Sequence, residues 1–207
     1  MQGNLIIISS PSGGGKGTLI REVLRTVPDL GYSVSFTTRA PRVGEAEGRD
    51  YHFVTKEEFE RRIEAGAFIE YAEVHGNYYG TSIETIETIR SAGKDVILEI
   101  DVQGAAWVLK RAPDAVRVFI LPPSFAVLRA RLTARATEGA DELVLRLRNS
   151  LREVMQYEIF EYVVINDIAA EAASKLSAII LAERQKRVRQ APAIRGILDS
   201  FEESKSI

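Results

Sequence analysis

No cysteine occurs anywhere in this 207-residue chain. That absence excludes a disulfide framework, a thiolate metal site and a cysteine nucleophile, and it fits a reducing compartment. An excess of charge is missing as well: 27 Lys and Arg stand against 29 Asp and Glu, for a net charge of -2. Without a global basic field no nucleic-acid partner is expected, and any anion site has to be local. Long apolar runs are also lacking. The first, at residues 5–8, is too brief for a secretory signal, and none approaches the ~20 residues of a membrane span, so a cytoplasmic protein without a membrane partner is expected. No internal repeat or low-complexity stretch is evident. What is there is 45% apolar residues, ordinary for a packed globular protein, over a length that suits one large domain or a core with insertions.

The aliphatic run Leu5-Ile6-Ile7-Ile8 leads into Ser9-Ser10-Pro11-Ser12-Gly13-Gly14-Gly15-Lys16-Gly17-Thr18, after which Leu19, Ile20, Val23, Leu24 and Val27 recur at helical spacing. Strand, glycine loop and helix in this order make a phosphate-binding loop. Glycines let the backbone curl with its N–H groups pointing inward, the helix aims its positive end at the same point, and Lys16 adds a full charge. The pattern G-x-x-x-x-G-K-[ST] is met imperfectly: Ser10 stands at the first glycine, and Gly17 stands where a Mg²⁺-binding hydroxyl belongs. The hydroxyl has moved one place on, to Thr18.

Further apolar runs at 96–100, 116–121 and 162–165 alternate with helical patterns at 16–27, 103–111, 124–134, 140–156 and 169–188, which predicts an α/β fold with a parallel sheet. Phe125, Leu128 and Leu132 mark one core-facing stripe, and Leu143, Leu147, Leu151 and Val154 another. Residues 33–90 differ in character, with short alternating runs, a charged turn at 42–49 and a helix at about 56–65, and read as an inserted substrate lobe. An irregular patch at 133–140 reads as a flap between two helices. The tail after Arg187 is expected to be a loosely held helix or a frayed end.

Within the inserted segment, Arg39 and Arg42 lie three apart, stiffened by Pro41, and can converge on one anion beside the hydroxyls of Ser35 and Tyr51. A solvated arginine-bearing loop is the plainer reading of the same residues. Further on, Glu70 can accept from the ring N–H and the exocyclic amine of a guanine, and Thr81 can donate to its carbonyl. Adenine would leave that carboxylate without donors, a mismatch that discriminates strongly. Asp101, at the end of the 96–100 run, suits either a metal-organising carboxylate, a contact to the guanine amine or a helix cap. Arg131, Arg135, Arg146 and Arg148 surround the flap; Arg146 borders the apolar stripe and can lean into a cleft, whereas Arg148 falls on the solvent side.

In their order along the chain, the Ser10–Lys16 loop, Ser35 to Arg42, Asp50-Tyr51-His52-Phe53-Val54, Phe68-Ile69-Glu70, Gly76-Asn77-Tyr78-Tyr79-Gly80-Thr81, Ile100-Asp101-Val102-Gln103-Gly104 and Val164-Ile165-Asn166-Asp167 resemble guanylate kinase, of the nucleoside monophosphate kinase class, over roughly residues 4–184. The resemblance implies a P-loop kinase fold. Its central parallel sheet is flanked by helices in a core of 1–32 and 91–207, with a GMP-binding lobe at 33–90 and a lid at about 133–145. It implies ATP and GMP as substrates and Mg²⁺ accompanying the ATP.

By the same resemblance, Ser35, Arg39, Arg42, Tyr51 and Tyr79 hold the GMP phosphate, and Glu70, Thr81 and Asp101 read the guanine. Ser10, Pro11, Ser12, Gly13, Gly14, Gly15, Lys16, Gly17 and Thr18 take the ATP phosphates, with Arg131 on the ATP side and Asn166 near the adenine. Lys16, Arg135 and Arg146 meet the transferred group. Thr18 and Asp101 are the metal candidates, though Gly17 shifts the expectation toward a Mg²⁺ held mainly by phosphates and water. Two other readings stay open, an interaction module without catalysis and a kinase for another phosphorylated acceptor. A homo-oligomer stays open as well, since the sequence does not reveal the oligomeric state.

Overall fold

The computed structural model describes residues 2–74, 76–135 and 140–204, exclusive of the side chains of 135, 140–142 and 203–204. In chain order the elements are β1 (Leu5–Ser9), α1 (Lys16–Thr26), β2 (Leu30–Tyr32), β3 (Phe36–Thr37), β4 (His52–Phe53), α2 (Lys56–Glu64), β5 (Phe68–Val74) and β6 (Asn77–Ser82). There follow α3 (Ile83–Ser91), β7 (Asp95–Glu99), α4 (Val102–Arg111), β8 (Val116–Leu121), α5 (Phe125–Arg135), α6 (Ala140–Val154), a 3-10 turn (Met155–Ile159), β9 (Tyr162–Ile165), α7 (Ala169–Arg184) and α8 (Arg187–Ser204).

A strand without polar alternation is stable when both faces are covered, and β1 is such a strand. It lies at the centre of a parallel sheet of order β2-β7-β1-β8-β9. Its residues alternate between two cores. Ile6 and Ile8 pack with Leu19, Ile20 and Val23 of α1 and with Leu176 and Ile180 of α7. Leu5 and Ile7 pack on the opposite face with Ile86 of α3, Ala105 and Val108 of α4, and Phe160. Buried Asp95 ties the layers together, accepting from the Asn4 N–H at 2.6 Å and from Arg184 Nε at 2.7 Å.

The expected P-loop kinase architecture, a central parallel sheet flanked by helices, is present. Short β2 and α3 were not foreseen: β2 is a three-residue edge strand defined by pairing to β7, and α3 is capped by the Ser82 hydroxyl accepting from the Thr85 N–H. The helix expected at 169–188 stops at Arg184, whose carbonyl accepts from the Gln190 side chain at 2.8 Å, and the tail continues as the separate helix α8. Two expected core stripes need correction. Leu128 and Leu132 are buried but Phe125 is exposed, and on α6 Leu151 is exposed while Ser150 is the fully buried position among the described side chains. Ser150 faces a polar loop, so α6 turns a mixed face inward.

A second sheet, β4-β3-β6-β5, lies within residues 33–90. Its own small core is aromatic, with Phe59 of α2 stacked on Phe68 at 4.5 Å and on Tyr78 at 5.2 Å. α2 begins where the Thr55 hydroxyl accepts from the Glu58 N–H, an N-cap that orients this core against β5 and β6.

Candidate active site

Ligands of open parallel sheets gather at the carboxyl ends of the strands. Here β1 ends in the glycine loop, β7 ends at Glu99 just before Asp101, and β9 is followed by Asn166. Gly15 is the N-cap of α1 with φ 90°, in the left-handed region, and a Cβ there would sit 2.4 Å from Asn166 Nδ2. Only glycine fits both demands. Lys16 then opens α1 with its ammonium 3.9 Å from the Glu99 carboxylate, and Glu99 also accepts from the Tyr32 hydroxyl at 3.2 Å. Burial, then the neighbouring Glu99, push the Tyr32 phenol well above its ordinary value, so it stays a donor.

The loop is braced from outside by two elements. Asn166, buried after β9, donates from Nδ2 to the Gly14 carbonyl at 2.9 Å, and Arg131 of α5 donates to the Asn166 carbonyl at 2.9 Å. From α6, Glu153 accepts from the Ser12 N–H at 2.9 Å, Ser150 donates to the Ser12 carbonyl at 3.3 Å, and Arg146 donates to the Ser12 hydroxyl at 3.4 Å. Arg146, Ser150 and Glu153 share one helix face by their i, i+4, i+7 spacing. That face was the signal by which the role of Glu153 could have been found.

A cleft of about 820 Å³ runs from Ser12, Lys16 and Gly17 to Glu70, Tyr79 and Asp101 on the far side. At its distal end β5 has an irregularity between Phe68 and Glu70 that sets Glu70 opposite Thr81. The Thr81 hydroxyl donates to Glu70 Oε1. Both side chains are buried, and burial raises the Glu70 carboxyl to about 7, with the Thr81 bond opposing and Asp101 adding to the rise. Asp101 itself caps α4 by accepting from the Gly104 N–H at 2.7 Å.

Beside this pair lies a cationic and aromatic corner. Arg39 donates from Nη2 to both Glu45 oxygens at 2.9 and 3.0 Å, and from Nη1 to the Ala40 carbonyl at 2.8 Å. Its guanidinium sits 5.4 Å from the Tyr51 ring centroid, and the Tyr51 and Tyr79 rings meet edge-on at 5.8 Å. Arg39 first, then the Arg42 N–H, hold the Glu45 carboxyl below the ordinary carboxylate range. Glu45 is thus a site residue to which the sequence reading gave no role, and its signal was the bare i, i+3 and i, i+6 spacing to the two arginines.

The structure gathers Lys16, Glu70, Asp101, Ser35, Tyr51 and Tyr79 around one cleft, with buried Thr81 behind Glu70 and Arg39 at the corner. It does not gather everything. The Arg42 side chain is exposed and does not line the cleft, so the two arginines do not converge here; only the Arg42 N–H joins the group, through Glu45. Thr18 is exposed, is not among the residues that line the cleft, and accepts at 3.4 Å from Arg21, which does line it. Asn166, expected by an adenine, has its amide turned behind the glycine loop. Arg148 is exposed, as expected. The Arg135 side chain, residues 136–139 of the expected lid, and His75 lie outside the described residues. Among the described residues no cluster of three His, Asp or Glu forms a metal cage.

The sequence model of the family described as guanylate kinase matches residues 2–183. A guanylate kinase of Neisseria meningitidis serogroup A is 51% identical over 199 residues, 96% of this chain and 97% of that protein. A guanylate kinase of Symbiobacterium thermophilum is 46% identical over 193 residues, 93% of this chain and 92% of that one. Among solved structures, guanylate kinase from Anaplasma phagocytophilum superposes with a TM-score of 0.76 at 37% identity, covering 91% of this chain and 89% of the other.

Proposed function

The chain belongs to the guanylate kinase family and carries its activity, transfer of the ATP γ-phosphoryl group to GMP to give ADP and GDP; we propose how its residues divide that work. The glycine loop from Ser10 to Thr18 binds the ATP phosphates through backbone N–H groups, and Lys16 neutralises charge on the transferring group. Arg146, resting on Ser12, stands at the edge of the same loop. Arg131 and Asn166 hold the loop in shape from behind, with Arg135 completing the cationic set around the transferred group.

The GMP phosphate takes Arg39, Ser35, Tyr51 and Tyr79, with Glu45 keeping the Arg39 guanidinium turned into the corner. Arg42 joins after a side-chain rotation. Guanine donates from its ring N–H and amine to Glu70, and the amine reaches Asp101 as well. The single Thr81 proton, spent on Glu70 in the free protein, turns to the guanine carbonyl and leaves Oε1 to the base.

Mg²⁺ would neutralise charge on the ATP phosphates. The residues fit it through Glu99, whose carboxylate lines the cleft beside Lys16 and Gly17, and through Asp101; the Thr18 hydroxyl is engaged by Arg21. One or two carboxylates with water and phosphate is the usual setting for this ion. The lobe is 33–90, the core 1–32 and 91–207, and the lid about 133–145 in this reading. The cytoplasm, where both nucleotides meet, is the compartment it implies.

The observation that carries the acceptor assignment is the buried Glu70–Thr81 pair at the end of the cleft opposite Lys16. A coupled assay with GMP, AMP, CMP and UMP tests it. GMP should be the one efficient acceptor, and AMP turning over equally fast would sink the assignment.

A further inference from the structure

Strand β5 holds one residue more than its partner can match. Phe68 pairs with Ser82 and Glu70 with Thr81, so Ile69 stands between them without a partner of its own on β6. A bulge of this kind re-aims the side chain that follows it. Successive side chains of a strand point to opposite faces, so drawing Ile69 into register opposite Thr81 would turn Glu70 to the other face of the sheet, away from the cleft. Whatever holds the bulge therefore decides whether the cleft has a carboxylate at this end.

Arg111, the last residue of α4, reaches that point. Its Nη1 donates to the Phe68 carbonyl at 2.6 Å and to the Ile69 carbonyl at 3.0 Å, the two successive carbonyls at the irregularity. A charged donor makes stronger bonds than the neutral ones of a strand ladder. Ile69 is itself buried in one cluster with Ala105 and Val108 of the same helix. Earlier on α4, a Cβ at Gly104 would sit 3.2 Å from Glu70 Oε2, and the Trp107 ring lies 6.3 Å from that of Tyr71. Gly104, Trp107 and Arg111 are spaced three and four apart, so one helix face grips β5 from the Phe68 carbonyl to the Glu70 carboxylate. Arg111 does not line the cleft, and Lys110 beside it already sets a cation at the end of α4, so the helix has no need of its reach to β5.

We propose that Arg111 is a positioning residue for acceptor selection: its guanidinium fixes the bulge at Ile69, and the bulge sets Glu70 beside Thr81 at the end of the cleft. This role rests on Glu70 being the guanine contact. It makes α4, which packs on the parallel sheet, the element that sets the register of a strand in the second sheet. Without the guanidinium both carbonyls lose their charged donor, and the bulge relaxes toward registers in which Glu70 no longer faces the base.

Steady-state kinetics of the full chain with GMP and AMP as acceptors test this. Arg111→Met should raise the KM for GMP about tenfold and lower the preference for GMP over AMP by a similar factor, with kcat at saturating GMP and the KM for ATP unchanged. Arg111→Lys, which keeps a charged donor, should lose less than about threefold, and it carries the same comparison if the methionine variant does not fold. In a Glu70→Gln background either change should alter the KM for GMP less than about twofold, because the side chain it positions is already lost. A residue that only braced the fold would act equally in both backgrounds and on both acceptors, and that result overturns the proposal. Glu70→Gln without effect on GMP would sink the guanine contact itself and this role with it; a strong Glu70→Gln effect that simply adds to that of Arg111 sinks the positioning role alone.

Discussion

At the Lys16 end of the cleft the wall is main chain, a glycine loop held by Asn166, Ser150 and Glu153 from outside, whereas at the Glu70 end it is side chains set on a second, aromatic-cored sheet. In the proposed function the difference follows from what each end meets. A polyphosphate is a diffuse anion that N–H groups and a helix terminus satisfy without fine placement of side chains. A purine edge is a fixed array of donors and acceptors, and only side chains at a set register can match it. The main-chain end therefore depends on the braces behind it, and the side-chain end on the irregularity in β5 that puts Glu70 opposite Thr81.

Substitutions at the two ends should separate in kind as well as size. Lys16→Ala should have the largest effect, lowering kcat about a thousandfold with little change in the KM for GMP, because it removes charge stabilisation at the transferring group. Glu70→Gln should lower kcat/KM for GMP about a hundredfold while leaving ATP binding alone, since an amide presents a donor where guanine needs acceptors.

The wild-type Glu70 also predicts a pH signature. In the proposed binding mode the charged form accepts from guanine, so with a free-state value of about 7 the KM for GMP should rise as pH falls below neutrality, and Glu70→Gln should flatten that slope. The same raised value means that the free protein loses stability as pH rises from the ordinary carboxylate range through about 7, read as a falling Tm that GMP reverses.

Arg39→Ala should raise the KM for GMP about thirtyfold, the worth of hydrogen bonds to a charged partner, and Arg42→Ala less, in line with their placement. Equal effects would mean that binding brings both arginines onto the phosphate. Asn166→Ala should cost about 1–2 kcal/mol in denaturant unfolding and raise the KM for ATP, with the KM for GMP unchanged, because it unties the Gly14 carbonyl. Gly17→Ser should do least. A Cβ there meets only the Glu99 carboxylate, Oε1 at 3.6 Å and Oε2 at 3.8 Å, so stability should change by less than about 1 kcal/mol. A large loss of ATP binding in that variant would show that the space beside Glu99 has to stay open.

Much of this was legible along the chain. Continuous aliphatic runs marked β1, β7 and β8 because buried parallel strands leave no polar alternation, the run at β9 marked an edge strand that leaves Val163 and Ile165 exposed, and three glycines before Lys16 marked the loop because that curl admits few other residues. The edge strand β2 was not legible, since three residues become a strand only by pairing with β7. Leu151 looked like core from its spacing, yet among the described side chains of α6 the buried one is Ser150, because the surface it faces is a polar loop and not a hydrophobic layer.

Sequence by itself determined the fold class, the phosphate loop and the family, all of which rest on local patterns whose physics acts within a few residues. Tertiary structure alone decided what Glu45, Glu99, Glu153 and Asn166 do, since their partners lie at Arg39, Lys16, Ser12 and Gly14 across turns or between strands. It also separated Arg39 from Arg42 and paired the Thr18 hydroxyl with Arg21. The reason is one of range. Backbone conformation and burial pattern are set by neighbours in the chain, but the direction of a charged side chain is set by whichever partner the fold brings within reach.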